Sequence, residues 1–134
     1  MRPVNQVLRG IQRFQPNEGN WLELDDLMTE LWETGEPNKY TKQLFELLER
    51  FPTDESQGVL GGVLHGLESI NNYEPELLKS IQRQPTDITA YIVHRIANTG
   101  ATVLAGHSIT ELYRLIESHP LAPLGVKEII QSYL

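Results

Sequence analysis

The side chains able to do chemistry are few. Four histidines, His65, His94, His107 and His119, are spread over more than fifty residues. None has the H-x-x-x-H or H-E-x-x-H spacing that puts two imidazoles on one helix face to hold zinc. The chain has no cysteine, which excludes disulfides, thiolate metal sites and thiol nucleophiles together. The run "GVLGGVLHG" (58–66) imitates a phosphate-binding loop but lacks the closing Lys-Ser/Thr. No nucleophile elbow or dinucleotide fingerprint is present. His94 with Tyr91 and Arg95, and Arg83 with Asp87, would form an acid–base set. The second pair recurs as Arg50 and Asp54, and repetition points to a structural clamp, because an active site occurs once. The residues therefore read as non-catalytic, with no metal and no cofactor.

What remains is charge. The stretch "NEGNWLELDDLMTELWETGEP" carries Glu18, Glu23, Asp25, Asp26, Glu30, Glu33 and Glu36, no Lys or Arg, and both tryptophans. Residues 1–13 hold three arginines and no acid, and residues 37–134 hold eight bases against eleven acids. The acidic stretch thus matches the whole net charge of −7. Phosphate repulsion makes such a surface a poor nucleic-acid binder and a good match for a basic protein.

The elements that position these residues are helices. Val4, Val7, Leu8, Ile11 and Phe14 recur at helical spacing behind Pro3. The acidic helix ends at Gly35. Further helices are expected over 38–51, over 54–70, from Pro75, from an N-cap at Thr86 to "NTG" (98–100), from the S-x-x-E box of Ser108 and Glu111, and from Pro123. No strand is expected. "GATVLAG" (100–106) has no assignment.

An internal repeat organises them. "LFELLERFPTDESQGVLGGVL" (44–64) matches "LLKSIQRQPTDITAYIVHRIA" (77–97) at an offset of 33, with Pro52-Thr53-Asp54 over Pro85-Thr86-Asp87. "LYRLIESHPLA" (112–122) is a third, drifting copy. Each unit is a helix pair too small to bury its own apolar face, so stacking must bury it. The expected fold is all-α: a short HEAT-like α-solenoid of antiparallel helix pairs, seven or eight helices in one domain of 134 residues, with 1–37 as atypical capping helices and 38–134 as repeats. The glycines of 58–66 are expected to let neighbouring helices approach, with a partner groove as the alternative.

On a helical wheel Trp21, Leu24, Leu27, Met28, Leu31 and Trp32 share one side, and Glu23, Asp26, Glu30 and Glu33 form a stripe on the other. Leu22 falls among the polar residues. Like charges one turn apart destabilise a helix, so an uncompensated stripe reads as a docking face. Glu23, Asp26, Glu30 and Glu33 are the candidate partner-binding residues, with Trp32 as an apolar anchor.

A small, acidic, cysteine-free chain with these L-[FLY]…P-T-D units and an acidic helix resembles the immunity proteins encoded beside bacterial contact-dependent and other polymorphic toxins. The resemblance implies a HEAT-like binding protein that covers the active site or nucleic-acid path of one cognate toxin domain, often a basic nuclease, in a 1:1 complex. It transfers no residues by motif. The alternative is an adaptor holding a peptide or housekeeping protein in its groove; an enzyme built on His94 comes third. The N-terminus lacks a signal-peptide pattern and no apolar run reaches membrane-spanning length, so the expected location is the cytoplasm.

Overall fold

A computed structural model describes residues 2–134. Among them are eight α-helices: α1 (Val4–Arg13), α2 (Leu22–Glu33), α3 (Thr41–Arg50), α4 (Val59–Glu68), α5 (Glu74–Arg83), α6 (Asp87–Asn98), α7 (Ile109–Ser118) and α8 (Leu124–Tyr133). A 3₁₀ turn, Pro37–Tyr40, leads into α3. The helices pair as α1–α2, α3–α4, α5–α6 and α7–α8. Odd-numbered helices pack on one another in sequence, α1 on α3, α3 on α5 and α5 on α7, and even-numbered helices do the same from α2 to α8. The result is a two-layered stack of helical hairpins, the all-α architecture expected from the repeat. One continuous apolar cluster runs through it, from Val7 on α1 to Ile130 on α8.

The repeated Pro-Thr-Asp has a direct structural role. Proline follows the first helix of each unit, and in the second copy the Thr-Asp pair starts the next helix. Thr86 caps α6 by accepting the Thr89 amide, and the Thr89 hydroxyl in turn accepts the Thr86 amide. Successive loops also lock together. The Asp87 amide donates to the Pro52 carbonyl, and the Asp54 amide donates to the Asp87 carboxylate, each at 2.8 Å.

Several expectations change. The helix expected over 54–70 begins only at Val59. Gln57 and Gly58 take left-handed backbone (φ +55° and +99°), so the turn equivalent to the start of α6 is unwound. The Ser56 hydroxyl caps the shortened helix by accepting the Leu60 amide at 2.9 Å. The segment 100–106 contributes to a two-stranded hairpin, β1 (Val103–Leu104) against β2 (His107–Ser108), where no strand was expected. Ala105 and Gly106 both have positive φ, the geometry of the tight turn that suits strand twist. Ser108 caps α7 through the Glu111 amide, but the Glu111 carboxylate faces His107 at 3.4 Å rather than completing the box.

The arginine clamps join neighbouring units, not the Asp of their own. Arg83 on α5 donates through Nε and Nη2 to Glu49 on α3, at 2.9 and 2.8 Å, and Ser80 donates to the same carboxylate. Arg50 on α3 donates to the carbonyls of Ile11 and Phe14 at the end of α1. In the third position His119 donates through Nε2 to the Gln82 carbonyl at the end of α5, at 2.8 Å. Arg50 and His119 thus hold carbonyls at the end of an earlier helix, where intrahelical donors are lacking, while Arg83 holds a side-chain carboxylate.

A candidate docking face and an open groove

Helix α2 begins after Asn20, whose side chain accepts the Leu22 amide, and stops at Gly35, which has φ +74° and donates to the Trp32 carbonyl. Leu24, Leu27, Met28 and Leu31 are buried. Trp21 is also buried, in an aromatic triad with Phe14 and Phe51 at ring-centroid distances of 5.4 and 4.8 Å. At about 100° per residue, Glu23, Asp26, Glu30 and Glu33 span roughly 80° of the helix. Leu27, at the edge of that stripe, lies against Gly10 of α1: a Cβ on Gly10 would come within 2.9 Å of it. The stripe therefore lies on the outer side of the first hairpin, at the end of the stack.

Trp32 is not part of that surface. It lies roughly 140° from the centre of the stripe and packs on α4, where a Cβ on Gly66 would fall 2.2 Å from Trp32 Cζ2. The indole needs the missing Cβ, so Gly66 is the glycine that permits close helix approach. Trp32 joins the first hairpin to the second and does not lie on the acidic face.

The stripe is also less uncompensated than the sequence indicates. Arg2, just before α1, forms an ion pair with Glu30 through its Nε and Nη2. The Arg2 side chain holds the Glu30 carboxyl below its ordinary range by hydrogen bonding. Glu30 in turn raises the Arg2 guanidinium, mainly through the same bond, with Glu23 and Asp26 adding weaker attraction. Lys39 pairs with Glu36 at 2.9 Å. Glu23, Asp25, Asp26 and Glu33 stay exposed with no cationic partner among the described residues. Leu22 stands beside them, 66% exposed.

A second feature was expected only in general terms, as the groove of an adaptor. An open groove of about 650 Å³ crosses α4, α6 and α8. Tyr91, Ile129 and Tyr133 line it together with Gly61, Asp54 and Asp87. Arg95, also in the lining, is held by Glu68 at 2.7 Å and lies over the Tyr91 ring at 5.7 Å. His94 is tied up in packing: its imidazole stacks on Tyr133 with centroids 3.8 Å apart, and Nδ1 faces the Tyr113 hydroxyl at 3.5 Å. The signal for the groove was present in "YIV" (91–93) and "II" (129–130). Adjacent large apolar residues on a helix cannot all face one core, so one of each run has to point outward.

Among the described residues no group of His, Asp and Glu is arranged to hold a metal ion, and no helix is long and apolar enough to cross a membrane. Compared with family models, curated proteins and solved structures, the chain matches none significantly.

Proposed function

We propose that the protein is a non-catalytic inhibitor that binds and neutralises a basic protein, in the manner of immunity proteins paired with polymorphic toxins. The observation that carries this reading is the set of exposed, unpaired carboxylates Glu23, Asp26 and Glu33 on the outer side of the first hairpin, with Glu30 set among them beneath Arg2. A negative face of this kind steers a positive partner and sets its orientation. Exposed Leu22 supplies apolar contact at the rim. On a nuclease, the carboxylates would occupy the path of the nucleic-acid phosphates. Arg2 is then a gate within the face: a partner cation that reaches Glu30 must displace it.

The stacking of His94 on Tyr133 supports the non-catalytic reading, because it gives the most plausible general base a packing role.

The test pairs the chain with the product of the toxin gene expected beside its own. Co-expression should restore growth. The triple variant Glu23→Lys, Asp26→Lys, Glu33→Lys should associate at least about tenfold more slowly at low salt and lose most of its salt dependence. An unchanged rate and salt slope would remove α2 as the docking face.

A further inference from the structure

Glycine inside a helix is costly, and a folded chain usually keeps it for close packing. Gly66 and Gly10 follow that rule, since a Cβ at either would meet Trp32 or Leu27. Gly61 and Gly62 do not. Both have helical backbone, and a Cβ at either would meet nothing within 4 Å. Gly61 lines the groove across α4, α6 and α8. Beside it Tyr91 and Ile129 expose 48% and 47% of their surface, with no element of the fold laid over them. The backbone of α4 has been left bare within an apolar trough.

The charges in the trough have one sign. Arg95 is neutralised by Glu68. Asp54 uses Oδ1 to accept from the Ser56 amide and hydroxyl, and Asp87 uses Oδ2 to accept the Asp54 amide. The other oxygen of each carboxylate has no partner among the described residues. Packed helices sit 8–10 Å apart, so three of them give a trough roughly 20 Å long, enough for about six extended residues. An open trough of this length suits a polypeptide better than a small molecule, which a binding pocket encloses on most sides. A second copy of this chain would bring its own net charge of −7 to a negative surface.

We infer that the α4–α6–α8 groove seats an extended polypeptide segment whose apolar side chain packs on Tyr91 and Ile129 over bare Gly61, and whose Lys or Arg meets Asp54 and Asp87. This docking surface does not depend on the acidic face of α2.

The experiment pans a phage-displayed library of random dodecapeptides on the purified full chain and measures the enriched peptides in solution. Enriched sequences should place Lys or Arg beside an aromatic or aliphatic residue. Gly61→Leu fills the groove at that point while improving helix propensity, so it should raise the thermal midpoint and weaken binding at least tenfold. Tyr91→Glu, at an exposed position, should weaken it similarly. Asp87→Asn keeps an oxygen for the Asp54 amide and should weaken only basic peptides, by several-fold. The α2 triple variant should bind them as the wild type does, so loss of the α2 reading would leave this result standing. No enrichment, equal binding by Gly61→Leu and Tyr91→Glu, or enrichment of peptides without basic residues would overturn the inference. So would sedimentation as a dimer that Gly61→Leu converts to a monomer, which would assign the groove to a second copy.

Discussion

Two glycines on the same helix carry opposite meanings, and the difference is measurable. Gly66→Ala forces a methyl against the Trp32 ring, which is held between two hairpins. Overpacking of this kind costs about 1–3 kcal/mol, and the better helix propensity of Ala returns at most about 1. A net loss of about 1–2 kcal/mol in urea unfolding is expected, with a changed near-ultraviolet circular dichroism signal as the indole shifts. Gly62→Ala meets no atom and should gain up to about 1 kcal/mol. Titration gives a second test at this scale. Burial raises the phenols of Tyr73, Tyr113 and Tyr133, with Glu74 and Glu68 adding to the first, and Tyr133 and Tyr91 adding to the other two respectively. The folded state therefore holds these protons more tightly than the unfolded chain. Stability is intact below the ordinary phenol value near 10 and declines as pH rises from there through the folded values. Tyr113→Phe and Tyr133→Phe should each flatten the alkaline limb of the Tm–pH curve; an unchanged limb would locate the loss elsewhere. On the acid side, Glu30 is the depressed carboxyl, so its pairing with Arg2 persists above its ordinary value and is lost as pH falls through the lower folded one.

At the scale of elements, legibility in the sequence followed the strength of the local signal. Helices α3, α5 and α7 were clear because apolar spacing, a terminal Pro or His-Pro and a following cap agreed. Helix α4 was read too long because the repeat put Asp54 over Asp87, and register alone does not reveal that Gln57 and Gly58 adopt left-handed backbone. The β1–β2 hairpin was hidden because each strand has two residues, too short for an alternating pattern. The inner side of α2 was legible from its period of apolar residues. Its outer side was not, for a different reason: the ion pair with Arg2 joins residues 28 apart and depends on how α1 returns along α2. Trp32 was read as an apolar anchor flanking the acidic stripe because an amphipathic wheel separates apolar from polar but cannot say which apolar residue meets core and which meets the next hairpin. The groove is a property of three helices at once, so no single segment contained it. Only the unpaired outward residues Tyr91 and Ile129 pointed to it.

At the scale of the molecule, the two-layered stack sets how the protein opens. Helices α3 to α6 have neighbours on both sides, while α1–α2 and α7–α8 each have a neighbour on one. In an array of this type, stability is close to a sum of unit terms and nearest-neighbour interface terms. Opening should therefore start at the ends and leave the middle hairpins until global unfolding. The first hairpin carries the acidic face and is held to the second by Trp32 on Gly66 and by Arg50 at the Ile11 and Phe14 carbonyls. Native-state hydrogen exchange should show α3–α6 amides exchanging at the global free energy and α1–α2 amides at a lower one. Binding of a basic partner at α2 should then raise protection in α1–α2 by the full linkage term, RT ln(1 + [L]/Kd), and in α3–α6 by the same term, because global unfolding also releases the partner. Occupation of the α4–α6–α8 groove should instead leave α1–α2 unchanged. Uniform exchange of all four hairpins would mean that the stack unfolds as one unit, and that the acidic face cannot loosen without the rest.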